Sequence, residues 1–226
     1  AELLEKVPLE RGEIEVRLEP GDAYPADDRV IAGIADAPTA KVVLVGGGSR
    51  FLRAAIEALP GVEFSVLPAG EPPTPDPRAI HVFDKSVPTG ALPDRALFIQ
   101  PDRPLDALAM QTYRTYPERV TWEADDPLLR GVDLDGLSIR GLVAFPSAPG
   151  YEVAAAADGW PLILTRDEGG RRWVVLAFDP AETFLVYGPG FPVLVANAVR
   201  WLSLFVAGER PFFRVGEAVN LPAAAR

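Results

Sequence analysis

Residues 41–59 read KVVLVGGGSRFLRAAIEAL, and this stretch decides the fold. Five apolar or aliphatic-stemmed positions run without alternation, three glycines follow, and the apolar pattern then changes to a helical period. A strand buried on both faces, a tight turn and an amphipathic helix form the opening unit of a parallel α/β sheet. Ser49 stands where a helix N-cap belongs, Pro60-Gly61 stops the helix, and Phe51, Ala54, Ala55 and Leu59 are its expected buried face.

The same pattern recurs downstream. Continuous apolar strands are expected over residues 62–67, 80–83 and 97–99, and a proline-rich stretch, EPPTPDPR at 71–78, forces an extended loop before the second of them. PLILTRDEGGRRWVVLAF at 161–178 reads as a β-hairpin turning around Gly169-Gly170. Residues 191–205 form the last helix, with Leu194, Ala198, Trp201, Leu202 and Phe205 near one face.

Upstream of residue 41 the period is two. Ile14, Val16 and Leu18 alternate with charged residues over residues 13–19, and a second strand is expected over 29–35, so residues 1–38 read as a β-hairpin or part of a β-sandwich. Residues 209–226 carry turn and strand features of a further, truncated β element. The first residue is Ala1 rather than methionine, which suggests a processed protein or a piece of a longer chain.

Composition bounds the function. With 226 residues, 48% of them hydrophobic, the chain buries roughly 70% of its unfolded surface in one sizeable core. A formal charge of -10 argues against a nucleic-acid surface and an anionic membrane, both of which need clustered Lys and Arg. No apolar run is long enough for a membrane span. The absence of cysteine removes thiolate nucleophiles, disulfides and cysteine-bound zinc. Abundant proline and a single methionine lean towards a high-temperature source.

A dinucleotide fingerprint needs a third glycine where this chain has Phe51, and a carboxylate for the ribose where strand 62–67 ends in Leu67-Pro68. The turn Gly46, Gly47, Gly48, Ser49 is therefore expected to be structural, and no cofactor or metal is expected. His81, the one histidine, lies inside a buried strand rather than at a strand end, so it is expected as a satisfied or half-exposed strand histidine rather than a catalytic one. Asp84 and Asp179 each follow an apolar run directly. They are expected at the carboxyl edge of the sheet, as caps and loop pins or as a carboxylate pair in a pocket with Gly46 to Ser49.

The segments KVVLVGGGSRFLRAAIEALPGVEF, IHVFDKSVP, ALFIQP, DDPLLRGVDLDGL, GGRRWVVLAFDPAET and FPVLVANAVRWL, in that order, resemble the class I glutamine amidotransferase-like domain of bacterial Bat-type (aerotolerance) von Willebrand factor A proteins. The resemblance covers residues 41–208, and VPLERGEIEVRLEPGDAYPADDRVIAGI resembles the end of the β-sandwich module before that domain. It implies a flavodoxin-like, mainly parallel sheet with flanking helices. It also implies an extracytoplasmic setting within a membrane-anchored parent, and partners among other von Willebrand-type proteins and an AAA-type ATPase system. Active class I amidotransferases carry a cysteine on a strand-to-helix elbow and a late Phe-His-Pro-Glu stretch. Laid on that stretch, FDPAE aligns Phe178 and Pro180, puts Asp179 in the histidine position and Ala181 in the glutamate position. Thioester chemistry needs both thiolate and base, so the resemblance implies a catalytically dead scaffold or protein-interaction domain. DDPLLRGVDL also resembles ThuA-like relatives, with Asp126 where those have a histidine. That leaves the alternative of a small-molecule or carbohydrate-binding domain, hydrolytic or not, at the carboxyl edge.

Overall fold

The computed structural model describes residues 12–17, 29–34, 40–68, 71, 76–111, 113–117 and 119–203. Expectations for the proline-rich loop at 72–75, for Phe205 and for residues 209–226 lie outside them. The chain divides into two compact units, Ala1–Thr39 and Ala40–Arg226. In the first, β1 (Gly12–Arg17) and β2 (Arg29–Ile34) form a two-stranded antiparallel sheet, with Ile14 opposite Ala32 and Val16 opposite Val30.

The second unit is an α/β structure. Its strands and helices are β3 (Ala40–Val45), α1 (Arg50–Glu57), β4 (Val62–Leu67), β5 (Ala79–Asp84), β6 (Arg95–Ile99), β7 (Tyr113–Thr115), β8 (Val120–Trp122), β9 (Gly141–Val143), β10 (Glu152–Ala157), β11 (Trp160–Glu168), β12 (Arg171–Leu176) and α2 (Gly190–Ser203). Eight strands make one sheet in the order β4-β3-β5-β6-β12-β11-β10-β8, while β7 and β9 pair separately. The run from β4 to β12 is parallel, and β11, β10 and β8 continue it antiparallel.

The sheet is thus mixed rather than mainly parallel, and the turns explain why. Asp158-Gly159 joins β10 to β11 and Gly169-Gly170 joins β11 to β12, with all four φ angles positive at 49°, 81°, 61° and 83°. Two residues at positive φ make a hairpin turn, whereas a parallel return needs a crossover of about a dozen residues or more. The expected hairpin around Gly169-Gly170 is present, with Thr165 opposite Val174.

Two expectations of burial change. β4 is an edge strand, half-buried at Val62, Phe64 and Leu67 and exposed between them, so its apolar run does not signify burial on both faces. In α1 the buried face is Leu52, Ala55 and Ile56, while Ala54 is exposed, Phe51 is half-buried and Leu59, half-buried too, lies beyond the helix end. An i, i+3, i+4 set is satisfied by either face, and Leu52 with Ile56 buries more aliphatic surface, at about 1.5–3 kcal/mol for each fully buried side chain. Along α2 the core residues are Phe191, Leu194, Val195, Ala198, Val199 and Leu202. The centre of the core crosses the parallel strands: Phe83 and Phe98 stack at 5.2 Å, and Trp173 meets Phe98 edge-on at 5.7 Å.

Candidate functional site

Because β3, β5, β6 and β12 run the same way, their carboxyl ends share one edge, and the residues just beyond them define the candidate site. Backbone bonds extend the ladder past each strand: Gly46 N–H donates to Leu67 O at 2.8 Å, Lys85 N–H to Ile99 O at 2.8 Å, and Gln100 N–H to Leu176 O at 2.7 Å. Lys85 and Gln100 then turn at φ of 52° and 44°, in the left-handed region. For non-glycine residues that conformation costs about 1–2 kcal/mol and marks a turn held by its surroundings.

Ser49 caps α1, its Oγ accepting from Leu52 N–H at 3.1 Å, and its own N–H donates to Asp84 Oδ2 at 2.9 Å. That bond decides what the glycine turn can hold. A helix N-terminus attracts anions, and here the anion is the protein's own carboxylate. A phosphate at the turn would lie against Asp84 and be repelled. Gly48, at φ 55°, brings the turn so close that a Cβ there would stand 2.7 Å from Leu44 Cδ2, whereas Gly47 faces open space.

Asp179 is three residues beyond β12. Its Oδ1 accepts from Ala181 N–H at 2.8 Å, capping a 3-10 turn at Pro180–Glu182, and its Oδ2 lies 2.6 Å from Lys85 Nζ. Lys85 also reaches Glu182 Oε1 at 3.5 Å. The bond to Asp179 holds the Lys85 ammonium above its ordinary pKa.

Asp84 is less completely satisfied. Its Oδ1 is buried with no hydrogen-bond partner. Burial first, and the charge of Asp179 second, push its carboxyl above the ordinary value, while the Ser49 amide and Lys85 pull the other way. Of the sequence candidates, Ser49, Asp84 and Asp179 therefore form one electrostatic group. Gly46, Gly47 and Gly48 shape the turn beside it.

Lys85 and Glu182 complete this group, and nothing in their local sequence distinguishes them from solvated surface charges. His81 is elsewhere, mid-strand in β5 and 2% exposed. It is thus neither half-exposed nor, with its Nδ1 lacking a partner, fully satisfied as expected, and burial depresses its pKa. Among the described residues no three His, Asp or Glu side chains gather as metal ligands. No helix among them is long and apolar enough to cross a membrane. A surface hollow lined by Arg119, Thr121, Asp158 and Gly159 lies at the antiparallel end of the sheet, remote from this group.

No family model matches this chain, and no curated protein does. Solved structures do match. The cytoplasmic protein STM3548 from Salmonella typhimurium superposes with a TM-score of 0.57 at 12% identity, over 72% of this chain and 98% of that one. The cytoplasmic protein STM1381 from Salmonella typhimurium LT2 superposes with a TM-score of 0.54 at 11% identity, over 85% of this chain and 96% of that one. The likeness is one of fold. At such identity it says nothing about the carboxyl-edge residues.

Proposed function

We propose that the chain is a non-catalytic scaffold and protein-interaction domain, of the flavodoxin-like, class I amidotransferase-like kind, within a larger bacterial envelope protein. The observation that carries this reading is the engagement of both edge carboxylates: Asp84 is bound by the Ser49 amide, and Asp179 by the Ala181 amide and Lys85. A general base must have a lone pair free within reach of a substrate proton, and Asp179 has both oxygens committed. The thiolate and histidine base of glutaminase chemistry are missing as well, since the chain has no cysteine and its one histidine is buried mid-strand. The envelope setting, and partners among von Willebrand-type proteins and an AAA-type ATPase system, follow from the resemblance alone.

One observation favours the second reading, a small-molecule or carbohydrate pocket: Asp84 Oδ1 is buried without a partner, and its carboxyl has a raised pKa beside a second carboxylate. Perturbed acids of that kind concentrate at functional sites.

Assays of the chain and of Asp84→Ala and Asp179→Ala variants with glutamine, aryl esters and acetylated sugars separate the two. The scaffold reading expects no turnover above buffer and undiminished partner capture by both variants. Turnover that either substitution abolishes would sink it.

A further inference from the structure

Phe184 and Tyr187 leave 75% and 74% of their surface exposed. They lie on a 3-10 turn, Phe184–Tyr187, whose start is fixed by Thr183: its Oγ1 accepts from Leu185 N–H at 3.2 Å and donates to Pro180 O at 2.8 Å. Tyr187 meets Phe51 edge-on at 5.8 Å, Phe184 lies 6.4 Å from Tyr187, and the Arg50 guanidinium sits 4.7 Å over the Phe51 ring. Single exposed apolar residues need no explanation, but two exposed rings on an anchored turn, in contact with half-buried Phe51 of α1, form a patch.

The charges beside it are uneven. Lys85 is consumed by Asp179 and Glu182. Arg50 and Arg53, on the first turn of α1, have no carboxylate partner among the described residues; Arg53 reaches only Gly47 O, at 3.4 Å. In a chain of formal charge -10, the Arg50 guanidinium, held over the Phe51 ring without a carboxylate partner among the described residues, is a positive group beside the exposed rings. Aromatic and Arg side chains supply most of the energy in interfaces, and opposite charge selects the partner.

We infer that the Arg50, Phe51, Tyr187, Phe184 array docks an acidic linear segment of a partner protein. An apolar side chain of that segment covers Phe184 and Tyr187, and a carboxylate of it faces Arg50. The inference rests on the interaction-domain reading above and gives it a surface.

The test is selection of a random peptide display library on the full chain, followed by fluorescence anisotropy with the selected peptides. Selection is expected to converge on Asp- or Glu-rich peptides carrying a Leu, Phe or Trp. Their binding should weaken at least about tenfold in the Phe184→Ser, Tyr187→Ser double variant and in Arg50→Glu, and should weaken as salt rises. These side chains are exposed, so thermal midpoints should be unchanged, which separates lost docking from lost folding. Convergence on basic peptides, no convergence, or equal binding by the variants overturns the inference. So does sedimentation showing self-association lost in the double variant, or polysaccharide binding lost in it. None of those outcomes requires turnover at Asp84. Failure here without turnover therefore removes the surface and leaves the scaffold reading standing, while turnover removes the scaffold reading whatever the peptides do.

Discussion

Lys85 Nζ lies 2.6 Å from Asp179 Oδ2, joining the carboxyl ends of β5 and β12 across the intervening β6. The pair is asymmetric: the Lys85 side chain is 47% exposed and that of Asp179 only 7%. The cation remains hydrated, while the carboxylate depends on its two partners. An ion pair of this kind ties the segment after β12 to the sheet edge.

Replacing Lys85 with Met should destabilise the protein by about 1–2 kcal/mol. Breaking a fully buried pair costs about 3–5 kcal/mol, and the exposure of Lys85 reduces that. Because the folded pKa of Lys85 is raised above 10.5, its contribution is complete below that pH and is lost as pH rises through the folded value. Urea denaturation at pH 7 and at pH 11 checks both parts: the gap between wild type and Lys85→Met should narrow at the higher pH.

Asp84 has the opposite character. Its carboxyl is raised above 3.8, so its contribution to stability is greatest while it is protonated and declines as pH rises through the folded value. Asp84→Asn keeps an acceptor for the Ser49 amide and removes the charge. That variant should be more stable than wild type at pH 7, with the difference vanishing near pH 3.8 and below. Asp84→Ala, which strands the Ser49 N–H, should lose about 1–3 kcal/mol. A destabilised Asp84→Asn at pH 7 would mean that the charged carboxylate has a favourable partner not accounted for.

His81 allows an unusually clean measurement, because the chain contains one histidine. Burial lowers its pKa below 6.5, so its contribution is complete above that pH and is lost as pH falls through the folded value. The imidazole C2 proton resonance should titrate below 6.5. Between pH 7.5 and 5 the urea midpoint of wild type should fall relative to that of His81→Leu. Asp84 titrates in both proteins and cancels from the comparison. A resonance titrating at 6.5 or above would place the ring in water.

The parts of the fold legible in the sequence are those set by local chemistry. Gly169-Gly170 prescribed the β11–β12 hairpin, Ser49 prescribed the α1 cap, and IHVF prescribed a buried β5. What was not legible depended on neighbours distant in sequence. Phe51 read as core but is half-buried: it packs at the margin of the core and meets Tyr187, far along the chain, edge-on. Lys85 is not singled out by the sequence, because nothing near it reveals that Asp179 arrives from a strand two places away. The positive φ of Lys85 and Gln100 was also hidden, since neither is a residue type that favours that region.

The glycine turn gives a prediction that separates neighbouring positions. Gly48 combines φ of 55° with a prospective Cβ contact of 2.7 Å to a side chain of Leu44 that is 0% exposed and has little room to move. Gly48→Ala should cost about 2–4 kcal/mol, the sum of left-handed strain and overpacking. Gly47 has no atom within 4 Å of a prospective Cβ and is not among the positive-φ residues, so Gly47→Ala should be neutral or stabilising by up to about 1 kcal/mol through the unfolded chain. Urea midpoints of the two variants decide the matter. Equal effects would mean that the turn does not press on Leu44, and the Ser49 amide would then have no fixed position from which to hold Asp84.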